Sequence, residues 1–180
     1  MTTPRLIAAT ARDPIPSDIR IGPVATDRIS FEAAVEPLFA PLLRRLVLIV
    51  GNEHDAEDVA QEAYLRAFRA WDRFDGTDVR AWLYTIALRI AFDQLRRRRR
   101  WLGLRVGRSS PASYVDKVDP DLWLAIARLE PRIRAALLYN VLDGYTQREI
   151  AGMLQVPEGT VASWLSRARE SLRGDLAITG

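Results

Sequence analysis

Apolar positions recur along this chain at spacings of three and four, and no stretch alternates with the period of two that a half-buried strand needs. From Phe31 to Val50 the pattern is strongly apolar but interrupted by Pro37 and Pro41, which predicts two short helices or one bent one. Val59, Ala63, Ala67 and Trp71 stack as one stripe and predict a helix from Asp55 to Trp71. Gly51 can end the helix before it, Asn52 or Asp55 can cap it, and Glu57 and Asp58 suit the positive end of its dipole. Leu83, Ile86, Ala87, Ile90 and Leu95 predict a second helix from Val79 to Arg98.

Beyond the arginine run, Gly103, Gly107, Ser109, Ser110, Pro111 and Ser113 carry little to bury and mark an extended linker. Periodicity resumes near Asp119, with Leu122, Ile126 and Leu129 in one helix and Ile133, Leu137 and Val141 in the next, which Pro131 opens. Asp143 and Gly144 then make a turn. Thr146 to Leu172 reads as a helix-turn-helix. Thr146 caps a short helix and Glu149 completes a capping box; Ile150, Ala151 and Leu154 form its buried side. Gln155, Val156 and Pro157 make the turn, and Val161, Leu165, Ala168 and Leu172 form the core face of the second helix. Thr160, Ser163, Ser166, Arg167 and Glu170 lie on its outer side, where such a helix enters a major groove. Trp164 falls at the edge of the core face, an angle that predicts partial burial.

The fold expected is all-α: two small helical domains joined by a flexible basic linker. Residues 1–28 are proline-interrupted and aperiodic and read as a disordered tail; 29–100 and 119–175 are the domains, 101–118 the linker, and 176–180 a C-terminal tail.

Charge adds what periodicity does not. The net charge of +3 conceals a basic run, Arg96 to Arg100 with Arg105 and Arg108, in which no acid appears between Gln94 and Val115. The helix at Asp55 is acidic instead: Asp58, Gln61, Glu62, Leu65 and Arg69 share the face away from its buried stripe. A solvated helix face explains that pattern, and so does a docking face for a basic partner. On the following helix Thr85, Arg89, Phe92 and Arg96 trace one face. Aromatics among arginines suit single-stranded nucleic acid, because rings stack on bases at about 1–3 kcal/mol each while guanidiniums hold phosphates. Trp71, Phe74, Trp82 and Tyr84 read equally well as core.

The chain has no cysteine, so disulfides and thiolate metal sites are excluded. No apolar run approaches the roughly 18 residues of a membrane span, and the N-terminus lacks the apolar core of a signal peptide, which predicts a cytoplasmic protein without membrane insertion. The one histidine, His54, could join Asp55, Asp58 and Glu62 in a metal cluster, but helical geometry spreads those side chains over different faces. No cofactor is expected.

Both blocks resemble the extracytoplasmic-function group of bacterial RNA polymerase sigma factors, which keep regions two and four. Asp55-Ala-Glu-Asp-Val-Ala-Gln-Glu-Ala-Tyr-Leu-Arg-Ala-Phe is similar to region 2.2. Phe74-Asp-Gly through Ala81-Trp-Leu-Tyr to Ile86-Ala, then Asp93-Gln-Leu-Arg-Arg, is similar to regions 2.3 and 2.4. Leu129-Glu-Pro, Tyr145-Thr-Gln-Arg-Glu-Ile-Ala, Gly159-Thr-Val and Arg167-Ala-Arg are similar to region 4. The resemblance implies a non-enzymatic initiation factor with two partners, core RNA polymerase and promoter DNA, both duplex and melted. Asp58, Gln61, Glu62 and Leu65 would meet the clamp helices of the polymerase's largest subunit. Phe74, Arg89, Phe92, Arg96 and Arg97 would engage the minus-ten element as it melts. Thr146, Thr160, Ser163, Ser166, Arg167 and Arg169 would contact the minus-thirty-five element. An anti-sigma factor is a further partner of this class.

The chain departs from the family's habit of arginine at Thr85, arginine then asparagine at Leu88 and Arg89, lysine at Ala162 and arginine at Trp164. Fewer charges on the reading helix predict a weaker phosphate grip, by about one counterion per charge lost. Two other readings compete: a stand-alone helix-turn-helix regulator, which leaves the acidic face unexplained, and a sigma mimic that binds only an anti-sigma protein.

Overall fold

The computed structural model describes residues 28–102 and 119–179, all in helices and short connections. The residues read as N-terminal tail, apart from Arg28, and most of the linker lie outside the described residues. Helix α1 (Arg28–Val50) packs on α2 (Glu53–Ala70) and α3 (Val79–Leu102), with a 3-10 turn, Trp71–Arg73, between the latter two. Helices α4 (Pro120–Arg128), α5 (Pro131–Leu142), α6 (Gln147–Leu154) and α7 (Glu158–Thr179) form the second unit, in which α7 meets the other three.

The two prolines do not divide α1. Phe31, Val35, Leu38, Leu42 and Leu46 are buried in one stripe, while Pro37 is exposed and Pro41 half-buried, so the missing amide donors fall on the outer side. Of the two candidate caps of α2 it is Asn52 whose side chain accepts from the Asp55 amide, at 3.1 Å. Gly51 precedes it at φ 81°, the left-handed conformation that lets α1 end in one residue. Helix α3 runs on to Leu102, four residues past the periodic pattern, because exposed arginines propagate a helix readily. Helix α7 continues through the segment read as C-terminal tail, to Thr179. Val141, expected in the core stripe of α5, is 57% exposed; that helix buries Ala135, Leu138 and Tyr139.

The two units pack directly on one another, through α1 with α5 and α3 with α6. Arg134 of α5 is the centre of this contact. Its Nη1 donates to the carbonyls of Leu48 and Ile49 at 3.2 and 3.0 Å, and its Nη2 to those of Ala127 and Leu129 at 2.6 and 2.9 Å. These are carbonyls at the ends of α1 and α4, where intrahelical donors run out. Burial draws the guanidinium pKa down to about 10, with Glu130 opposing, so it stays charged at neutral pH. Beside it, Arg45 Nε and Nη2 donate to Asp143 Oδ2 and Oδ1 at 2.9 and 3.1 Å. The Tyr84 ring of α3 stacks on Tyr139 of α5 at 5.3 Å, and Tyr139 meets Tyr145 edge-on at 6.2 Å.

Desolvation raises the pKa of Tyr84 to about 12 and those of Tyr139 and Tyr145 further. In the unfolded chain these phenols ionise near pH 10, so above that pH the unfolded state binds fewer protons than the folded one, and stability falls with rising pH. Absorbance titration at 295 nm should show part of the signal of the five tyrosines titrating near pH 10. The remainder should appear only as the fold melts, between about pH 10 and 12; a single transition at the ordinary value would contradict the buried tyrosine cluster.

Candidate polymerase and nucleic-acid interfaces

On α2 the buried residues are Ala56, Val59, Ala60, Ala63 and Ala67, small enough to let the helix lie close to α1 and α3. The opposite face presents Asp58 and Gln61 exposed, Glu62 half-buried and Leu65 46% exposed. Phe68, 41% exposed, extends the apolar part; its 5.3 Å contact with Phe31 was not read from the sequence. Glu62 accepts from Arg66 Nε at 2.6 Å, an exposed pair on one helix worth about 0.3–0.5 kcal/mol, which a partner's cation can displace. His54 Nε2 lies 3.9 Å from Asp58 Oδ2, and Asp55 turns away to the amide of Gln94 and to Arg98. The four candidate metal ligands are therefore not brought together.

The second surface follows α3. Seven residues of helix turn about 700°, so Trp82, Arg89 and Arg96 return to nearly one direction, with Phe92 beside them, over about 21 Å of axis. Arg89, Arg96 and Arg97 are exposed and Phe92 is half-buried. At the N-terminal end of the stripe Phe74 stacks on Trp71 at 5.2 Å and lies 4.9 Å from Trp82. Trp71 is core, whereas Phe74 and Trp82 are half-buried and form the edge of the surface. Tyr84 belongs to neither; it is buried between the units.

The loop carrying Phe74 is held at both ends. Asp78 Oδ1 accepts from the Ala81 amide at 2.9 Å and starts α3. Gly76 takes φ 80°, and the Thr77 hydroxyl and amide both donate to the Asp75 carboxylate, holding its pKa below the ordinary value.

The third surface is α7. Thr146 and Glu149 form the expected capping box: the Glu149 amide donates to Thr146 Oγ1 at 3.3 Å, and Glu149 Oε2 accepts from the Thr146 amide at 2.8 Å. The turn is made by Gln155 at φ 54°, a left-handed residue with a side chain. Val161, Leu165 and Ala168 are fully buried, so Ser163, Ser166 and Arg167 face outward and Thr160 sits half-buried at the start of the helix. Ser163 donates to the Gly159 carbonyl at 2.9 Å. Arg169 lies on the flank and donates to Asn140 Oδ1 at 3.2 Å, which ties α7 to α5. Trp164 is half-buried, as its angle predicts.

Residues 34–101 match the Sigma-70 region 2 family and residues 121–172 match Sigma-70, region 4. The chain is 33% identical over 185 residues to the ECF RNA polymerase sigma factor SigE of Mycolicibacterium smegmatis, covering 90% of this chain and 70% of the relative. The chain belongs to the extracytoplasmic-function sigma factors of RNA polymerase. It is also 29% identical to the ECF sigma factor SigW of Bacillus subtilis over 71% of this chain and 79% of that one. Among solved structures it is similar to the sigma factor RpoE in complex with the anti-sigma factor NepR from Bartonella quintana. That match has a TM-score of 0.71 at 26% identity and covers 82% of this chain and 97% of RpoE. Sigma factors are DNA-binding initiation factors and not a class of enzyme. Among the described residues no helix is long and apolar enough to cross a membrane.

Removing the capping box tests the local basis of α6, the first helix of the helix-turn-helix. Thr146→Ala should lower stability by about 1 kcal/mol, seen as a reduced Tm by circular dichroism; an unchanged Tm would show that the cap contributes nothing.

Proposed function

We propose that this sigma factor binds core polymerase through Asp58, Gln61, Glu62 and Leu65, melts the minus-ten element on α3 and reads the minus-thirty-five element with α7. The observation that carries the reading is that each family region puts its polar or charged stripe opposite its own buried stripe. An acidic face with an exposed leucine fits the basic, partly apolar helices of a polymerase clamp. Glu62 and Asp58 supply the charge and Leu65 the desolvated anchor.

On α3, Phe92 and the edge formed by Phe74 and Trp82 offer rings to unpaired bases, and Arg89, Arg96 and Arg97 take the phosphates. A flipped base needs a few kcal/mol for unstacking, and the ring contacts return that energy. On α7, Ser163, Ser166 and Arg167 reach base edges, Thr160 sits at the helix start, and Thr146 and Arg169 contact the backbone. The Thr146 hydroxyl already serves its cap, so its contact would be through position rather than readout. The protein acts in the cytoplasm, where the polymerase is. The solved relative bound to NepR supports an anti-sigma factor as a further partner.

Transcription with purified core enzyme from a pool of the source genome's upstream fragments should gain start sites sharing two spaced elements when this protein is added. Asp58→Ala with Glu62→Ala should weaken core binding about tenfold or more, as loss of a charged anchor pair does. Unchanged affinity would remove the α2 face from the account, and no new transcripts despite core binding would favour a mimic that titrates an anti-sigma protein.

A further inference from the structure

Arg169, on the flank of α7, is held by an amide rather than an acid. Its Nη2 donates to Oδ1 of Asn140, in the last turn of α5, at 3.2 Å, and the Nδ2 of the same amide donates to the Tyr145 carbonyl at 2.9 Å. A carbonyl can only accept, so it fixes Nδ2 on its own side and turns Oδ1 toward the guanidinium. Other arginines that reach a side chain far along the chain end on carboxylates: Arg45 on Asp143, Arg98 on Asp55 and Arg128 on Asp175. An aspartate at position 140 would also serve Arg169 as a partner. It could not donate to Tyr145, and it would set a negative charge beside the cation.

The difference bears on what Arg169 can do. A carboxylate competes with a phosphate for the guanidinium and cancels its charge at a distance, whereas a neutral amide fixes the direction of the fork and leaves the charge whole. Arg169 is exposed, and one of the five N–H donors of its guanidinium goes to Asn140. A long side chain ordered in advance loses less rotamer freedom when it meets its target. The second bond of Asn140 fixes where that target must lie. Tyr145 directly precedes Thr146, the cap of α6, so the two residues assigned above to the DNA backbone, Thr146 and Arg169, are both referenced to one side chain. The Tyr145 bond by itself would close the turn through Asp143 and Gly144. Closing that turn does not require the bond to Arg169, which joins α5 to α7 across 29 positions.

We infer that Asn140 is a positioning residue for the minus-thirty-five contact: it aims Arg169 at a backbone phosphate without neutralising it and sets that arginine in register with the start of α6. The inference rests on the assignment of Arg169 to the DNA backbone.

The test uses the full chain on core polymerase and a labelled duplex carrying the upstream element of a promoter returned by the pooled transcription, with Kd measured over a range of salt. Arg169→Ala should weaken binding and lower the salt slope by about 0.9, the value of one phosphate contact. Asn140→Ala should weaken binding about fivefold with the parental slope retained, since the charge stays and its ordering is lost. In the Arg169→Ala background the Asn140→Ala exchange should have no further effect on Kd. Asn140→Asp should behave like Arg169→Ala, losing affinity and slope together, although the arginine keeps a partner. If Arg169→Ala leaves Kd and slope at the parental values, the backbone assignment of Arg169 falls and the inference goes with it. If Arg169→Ala acts as expected, the positioning inference is overturned alone by any of three results: parental binding by Asn140→Ala, a loss from Asn140→Ala that adds in full to that of Arg169→Ala, or parental binding by Asn140→Asp.

Discussion

The Arg134 guanidinium lies where two helices end, and both ends depend on it. The last carbonyls of α1 and α4 have no intrahelical donors, and four of them, or of the residues that follow, are satisfied by one side chain. Withdrawing that side chain would strand buried acceptors on both units; leaving it in place buries a charge whose desolvation already lowers its pKa. The packing of region 2 on region 4 follows from this constraint. It brings Tyr84 onto Tyr139, seats Asp143 against Arg45 and sets Arg132 over Phe92.

Its consequence for function is geometric. The acidic stripe of α2 stays exposed in the packed form, at Asp58, Gln61 and Leu65, while the middle of the α3 stripe is bordered by the other unit. The contact between the units joins these polar bonds to an apolar core that runs continuously from α1 and α2 through Tyr84, Tyr139 and Tyr145.

Helix existence and facing were legible in the sequence wherever one element buries one stripe. The run Val59, Ala63, Ala67, Trp71 and the run Val161, Leu165, Ala168 are buried as their spacing requires, and Thr146 with Glu149 forms its capping box. The contact between the units was not legible. Arg134 stands in an apolar helix beside Arg132, and nothing local tells a buried arginine from an exposed one; its burial depends on carbonyls 85 and 86 positions away. Asp143 reads as a turn residue because Asp-Gly favours turns, and its pairing with Arg45, 98 positions distant, has no sequence period. Tyr84 was equally compatible with core and with base stacking until Tyr139 was seen against it. Val141 shows the reverse error: α5 is covered on more than one side and buries every residue from Arg134 to Tyr139, so burial there follows no single stripe and Val141 falls beyond the covered stretch.

The chain has no cysteine, so a pair of spin labels can be placed without background. Asp72→Cys on the turn after α2 and Arg173→Cys on α7 are both exposed positions, one in each unit. Pulsed electron resonance on the doubly labelled protein measures the separation of the units directly. A single short distance for the protein in solution is what the packing of the two units through Arg134 requires. A broad distribution reaching to long distances would contradict it.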